Sequence, residues 1–357
     1  MEIVNESEEK SFLRKIILKK GIILIVIGII LRISMLIYYY YTHSIDPGKS
    51  WGDVGYNYDN YTSINYPPLT IVLLFFFRLI SFGSFEIFAF WAFLLDLLTV
   101  LMFYFVIKNF NIPKKNFAFG LFLINPFFFL NNSFSLANCG YHMTDAIFFF
   151  FLFMALIFYP KKDNKSKILF YIFLSLSAAS KIYTIPFIGF FFLKFFIEKD
   201  WKEMKVFLLT TISVLFLFLI VPIFFGQNFL ITFLFWNTRG ETVVPIYIRL
   251  MPVVVLTILF LLVRLKKADL LEIIIFSTVV TASVMFFSNP FVRYFQPILF
   301  YGILKHKEFF SFNLDLGIIK GKISVDNHIL TFVLSIFAVV LAYLMIIILF
   351  DPFYSSF

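Results

Sequence analysis

Eleven apolar runs, separated by short loops that carry most of the basic residues, leave this chain few ways to fold. About 20 apolar residues in a helix span the ~30 Å hydrocarbon core of a bilayer, and shorter runs serve as half-spans. By that measure crossings fall at residues 16–41, 85–107, 116–131, 146–159, 168–180, 182–196, 206–225, 246–263, 271–287, 294–304 and 329–350. With 61% hydrophobic and 14% charged residues, the polar groups are too few to cover a water-soluble globule. The expected fold is all-α, a polytopic membrane protein with about eleven transmembrane helices. Residues 1–15 are acidic and far from any small-residue cleavage site, so the first run is expected to stay as a span. Without internal repeats or low-complexity linkers, residues 1–357 read as one domain.

The basic residues set the orientation. With the amino terminus inside, the loops on the cytoplasmic side hold 23 of the 30 lysines and arginines. Lys49, Arg78, Lys181, Arg239, Arg249 and Arg293 are left outside or at the interface, and Arg32 within the first span. Residues 68–80 are apolar but short, and they close on Arg78 and a Ser-Phe-Gly-Ser turn. If they crossed, every later loop would flip and most lysines would face outward, against the positive-inside rule. They are therefore expected to form an interfacial or re-entrant helix, with residues 42–84 making one external loop.

A single cysteine, Cys139, excludes an internal disulfide framework and a cysteine metal site, and the four histidines show no metal-ligand spacing. Metal chemistry, if any, would come from carboxylates. The net charge of +9 sits in the short loops, where it reports membrane orientation rather than nucleic-acid binding.

Four polar clusters gather on the expected outer side. The first holds Asp46, Asp53 and Asp59 among tyrosines and runs into Asn65-Tyr66-Pro67-Pro68-Leu69; the second runs from Asn138 through Gly140, His142 and Asp145. The third, Ser180-Lys181-Ile182-Tyr183-Thr184-Ile185-Pro186, breaks a long apolar run in two. The fourth pairs the stretch around Arg239 with that around Arg293. An external carboxylate can take a proton from an acceptor hydroxyl, while Lys181, Arg239 and Arg293 can hold a phosphate and stabilise it as it leaves. Plainer readings stand beside these. Loop aspartates are most often solvated, Arg293 can snorkel to the interface, and Arg32 with Asp96 reads as polar glue between spans. Lys181 is the hardest to explain as bulk structure, because charges and broken helices at membrane depth usually mark function.

Taken in order, the clusters resemble the polyprenyl-phosphate-sugar-dependent glycosyltransferases of the GT-C fold. Asp53-Val54-Gly55-Tyr56 followed by Tyr66-Pro67-Pro68-Leu69 is similar to their acidic first external loop and its closing Y-P-P-L. Asp96-Leu97-Leu98 resembles the D-L-L helix of the branch that adds the first mannose to glycosylphosphatidylinositol. Asn125-Pro126, Gly140 and Asp145 resemble an N-P pair and a glycine-and-acid turn, and Lys181-Ile182-Tyr183 a K-I-Y-P segment in which Thr184 replaces proline. Thr238-Arg239-Gly240-Glu241 is similar to a T-R-R-D, and Arg293-Tyr294-Phe295 to a late Q-Y-F. The D-x-D pair of that branch is absent here, and Asn65-Tyr66-Pro67-Pro68-Leu69-Thr70 is equally similar to the D-Y-P-P-L-T of glucosyltransferases.

The resemblance implies a membrane glycosyltransferase that moves a hexose, mannose by first choice, from a polyprenyl (dolichyl) phosphate to a glycan or glycolipid acceptor on the external or luminal face. It implies Asp53 as base with Asp46 as second choice, and Lys181, Arg239 and Arg293 on the donor phosphate. Tyr66, His142, Asp145 and Tyr183 would bind the acceptor or substrate. It implies no cofactor, with a divalent metal left open, and residence in an archaeal or bacterial plasma membrane or an endoplasmic reticulum. The rival class is a transporter or flippase of lipid-linked sugars, which inverted repeats would favour; none is found in the sequence.

Overall fold

The computed structural model describes residues 6–46, 52–59, 67–125, 143–159, 161, 163–219, 246–288, 301–304, 308–315, 320–326, 328–337 and 340. The chain begins with α1 (Glu6–Ile45), α2 (Gly52–Asp59), α3 (Pro68–Ile80), α4 (Phe85–Asn109) and α5 (Lys115–Leu123). Then come α6 (Met143–Phe158), α7 (Asn164–Ser180), α8 (Phe187–Glu198), α9 (Trp201–Leu219), α10 (Ile246–Leu259) and α11 (Leu270–Ser288). Strands β1 (Glu308–Asp315) and β2 (Lys320–Asp326) and the helix α12 (His328–Phe337) follow. The architecture is predominantly α-helical, as the apolar runs predict.

Among the described residues, two helical segments, Lys20–Ile45 and Phe85–Asn109, are long and apolar enough to cross a membrane. A third crossing results if Asn164–Ser180 and Ile182–Glu198, bent by 119°, count as one broken span. On α1, Ile23, Ile30 and Ile37 recur every seven residues and are each more than half exposed. Such an apolar stripe is stable against lipid and not against water. The chain is a membrane protein. Shorter apolar helical stretches, at Met143–Phe158, Val253–Arg264, Leu270–Val284 and His328–Phe337, fall within or beside other expected crossings. The run at 116–131 is described as far as 125 and holds α5 there, and 168–180 with 182–196 form the bent pair. The runs at 206–225, 294–304 and 329–350 extend beyond the described residues.

Antiparallel packing of α1 on α4 organises the site. His43 stacks on Phe85 at 4.2 Å, the Tyr40 hydroxyl donates to the Glu86 carbonyl at 3.1 Å, and Arg32 Nε meets Asp96 Oδ2 at 2.6 Å. The chain thus leaves α1 and enters α4 at the same end, so α3 is not an additional crossing between them. Its 13 residues reach only ~20 Å. Pro67 as N-cap and Pro68 in the first turn start α3 where a missing N–H costs nothing. The turn into α4 places Phe82 and Gly83 at φ 50° and 81°, and Ser84 caps α4 by accepting from Ile87 N.

α5 runs parallel to α1 at a close crossing. A Cβ at Gly28 would come within 2.5 Å of Leu123 Cβ, and one at Gly120 within 2.6 Å of Leu24 Cβ, so glycine lets the backbones approach. α6 lies parallel to α4, with the Thr99 hydroxyl donating to the Ala146 carbonyl at 3.1 Å and Asn109 Nδ2 to Ile157 O at 2.5 Å. α7 returns beside α6, where Phe158 stacks on Phe173 at 5.7 Å. α9 runs along α7, joined by Ser175 to Thr211 at 3.2 Å and by Lys167 and Tyr171 to Glu203, each at 2.7 Å. Phe103, Phe148, Phe153, Phe187, Phe191 and Phe207 fill the core between these helices.

One addition to the helices was not expected. Residues 305–322 read as a lysine-bearing loop, yet β1 and β2 pair antiparallel with Ser311 opposite Ser324. Asp326 closes the hairpin: its Oδ1 accepts from the backbone N of His328 and Ile329 at 3.2 Å each, capping α12, and its Oδ2 takes Lys114 Nζ at 3.2 Å.

Candidate functional site

The break between α7 and α8 is written in its residues. Ser177 and Ser180 turn their hydroxyls back onto the carbonyls of Leu174 and Ser177, both at 2.7 Å, competing with further helix. Lys181 then takes an extended conformation with φ −157° and ψ 140°, Ile182–Thr184 forms a single 3-10 turn, and Pro186 opens α8. Across the gap the hydroxyls of Ser177 and Thr184 meet at 3.2 Å. The Ser180 carbonyl, orphaned where α7 ends, accepts from Thr70 Oγ1 of α3 at 2.6 Å. The first turn of the Pro67-Pro68-Leu69-Thr70 helix is thereby docked on the broken helix.

Lys181 Nζ donates to Asp145 Oδ1, and the same ammonium lies 4.9 Å from the centroid of the Tyr183 ring. Asp145 stands in the first turn of α6, where the helix dipole favours a negative charge. Lys181 is 7% exposed, Asp145 3% and Tyr183 fully buried against Phe148 at 5.2 Å. Removing either charge from water alone would cost several kcal/mol, so the two side chains are buried as a pair. The second carboxylate oxygen, Asp145 Oδ2, is buried with no hydrogen-bond partner among the described residues.

The pair sits deep. Asp145 precedes Ala146, which is level with Thr99, ~20 Å along α4 from Phe85. Lys181, grouped by its loop with the outside or interfacial charges and read from the helix break as a charge at membrane depth, is inside the bundle. Arg32 and Asp96 lie about one helical turn from Thr99, with Arg32 Nη1 also donating to the carbonyls of Gly28 at 3.1 Å and Leu123 at 2.9 Å. Tying α1, α4 and α5 together, this second pair behaves as the structural glue expected of it.

The remaining candidate residues are placed unevenly. Asp46 is half-buried at the end of α1, its amide bonded to the Thr42 carbonyl at 3.1 Å. Asp53 is on α2, and the next residue, Val54, packs fully buried with Tyr39, Phe88 and Met143. α2 thereby rests against α4 and against the start of α6, the helix that carries Asp145. Tyr66, His142, Arg239 and Arg293 lie outside the described residues; Tyr66 directly precedes Pro67, and His142 is three positions before Asp145. Thr70, Ser177, Ser180 and Thr184, which bind the cluster together, were not singled out as site residues. Their signal was present in the closing Thr70 of the Y-P-P-L-T stretch and in the serines before the break.

Among the described residues, no group of three or more histidine, cysteine or acidic side chains is placed to hold a metal. A surface cleft of about 520 Å³ lined by Phe105, Lys108, Asn109, Asn111 and Ile157 lies at the far end of α4, away from this cluster. No family model matches the chain, and no curated protein or solved structure is significantly similar to it.

Proposed function

We propose that the protein is a membrane glycosyltransferase that moves one hexose, mannose by first choice, from a polyprenyl-phosphate carrier to a glycan or glycolipid acceptor on the external or luminal face. One observation carries the reading. Three segments that resemble the glycosyltransferase motifs and are far apart in sequence meet in one buried cluster: Thr70 after the double proline, Asp145 at the start of α6, and Lys181 with Tyr183 at the broken helix. In this reading the amino terminus is cytoplasmic, about eleven segments cross, and residues 42–84 face outward. Asp53 takes the acceptor proton, with Asp46 as second choice. Arg239 and Arg293 hold the carrier phosphate, and Lys181 can add a charge-assisted bond by sharing its ammonium with Asp145. Tyr66 and His142 line the acceptor side.

A second reading has its own observation. A broken helix pair bent by 119° around a buried charge also suits a transporter or flippase of lipid-linked sugars. Purified protein incubated with a radiolabelled panel of polyprenyl-phosphate sugars and membrane-lipid acceptors separates the two. Label passing to an acceptor from at least one donor is the outcome expected of a transferase, and no transfer from any donor counts against it.

A further inference from the structure

Asp145 and Lys181 balance each other's charge, yet only one of the two carboxylate oxygens is engaged by the ammonium. Oδ2 is buried and has no hydrogen-bond partner among the described residues, on a side chain that is 4% exposed. A carboxylate oxygen only accepts, so its missing partner must be a donor. A second cation would leave an uncompensated positive charge in an apolar setting, and the carrier phosphodiester has only acceptor oxygens to offer, which suit the Lys181 ammonium and not this oxygen. What fits is a neutral donor, and of the groups on a lipid-linked sugar that means a hydroxyl.

We propose that Asp145 Oδ2 accepts a hydrogen bond from one hydroxyl of the transferred hexose and so selects the donor sugar. This rests on the glycosyltransferase reading and adds to it the part of the substrate that Asp145 recognises. The position suits the task. Asp145 is fixed at the start of α6 by the carbonyl bond between Ala146 and Thr99 and by Lys181 at the helix break, and Thr70 ties that break to α3. A site built to accept from a hydroxyl discriminates strongly against an analogue that lacks it, because its own buried polar atom is then left bare.

The test compares polyprenyl-phosphate mannose with counterparts lacking the hydroxyl at C2, C3, C4 or C6, on the wild type and on Asp145→Asn. In the wild type one deoxy donor should lose kcat/KM by about 10- to 100-fold, the scale of a hydrogen bond to a charged group. In Asp145→Asn the same deletion should cost less than about threefold. If Asp145→Asn does not fold, Asp145→Glu keeps the charge for Lys181 while moving the oxygens, and it should flatten the same contrast. Equal losses on every deoxy donor in wild type and variant would overturn the inference, leaving Asp145 as an internal partner of Lys181 only. Absence of transfer by the wild type from any donor overturns the transferase reading itself, a different result from a uniform deoxy series.

Discussion

An ammonium and a carboxylate inside a membrane bundle are stable only as a pair, because the desolvation of either alone has no compensation. Lys181→Met should therefore destabilise the protein by about 3–5 kcal/mol, whereas adding Asp145→Leu should restore most of that loss. Chemical unfolding in mixed micelles reads the difference, and additive losses would show that the two side chains do not depend on each other. For the base the prediction is kinetic. Asp53→Asn keeps the side-chain shape but cannot take up a proton, so turnover should fall by about 10² to 10⁴ with donor binding nearly intact. Asp46→Asn and Asp59→Asn should each cost less than about tenfold; loss of transfer in Asp46→Asn with Asp53→Asn active would move the base to Asp46. Lys181 was legible in the sequence, since a charge between two apolar runs needs a reason. Its partner was legible only as a candidate, because Asp145 is 36 positions away and no local pattern joins them. The bond from Thr70 to Ser180 was hidden for the same reason: it depends on where two helices 110 positions apart cross.

Among the elements, the broken helix was readable from the stretch between Ser180 and Pro186, residues that offer the backbone another partner or withhold a donor. Its outcome was not. The two short runs look like successive crossings, but the 119° bend turns their junction into the buried tip that carries Lys181. The β1–β2 hairpin was missed because its lysines weigh toward a cytoplasmic loop, and two short strands give far less signal than a span. Burial pushes the Asp326 carboxyl upward, but the Ile329 amide and the charges of His328 and Lys114 outweigh it and hold the group below the usual carboxylate range. A carboxyl whose folded-state pKa is depressed contributes stability above its unfolded pKa of about 3.9 and loses it as pH falls through the folded value. Acidification below about pH 4 should loosen the hairpin from Lys114, seen as faster amide exchange at His328 and Ile329. In Asp326→Asn that acid-dependent change should vanish; its persistence would assign the loosening to another group.

At the scale of the whole molecule, the register of α1 on α4 fixes more than any single motif. With His43 level with Phe85 and Arg32 level with Asp96, residues 46–84 begin and end at one end of the helix pair. In a Cys139→Ser background, cysteines at Lys49 and at Phe82, which is 89% exposed, should both react with an impermeant maleimide added outside. Labelling of position 49 but not 82 would place the two ends of this segment on opposite faces. The basic loops supply an expected direction, whereas the level of the site along α4 was hidden in the sequence, since it follows from helix register that only packing sets. Bond cleavage separates a transferase from a flippase. Protein reconstituted in sealed vesicles with radiolabelled polyprenyl-phosphate mannose in the leaflet that faces residues 42–84 should release free polyprenyl phosphate as label passes to a membrane acceptor. Intact labelled donor appearing in the opposite leaflet, with no polyprenyl phosphate released, would contradict the transferase reading.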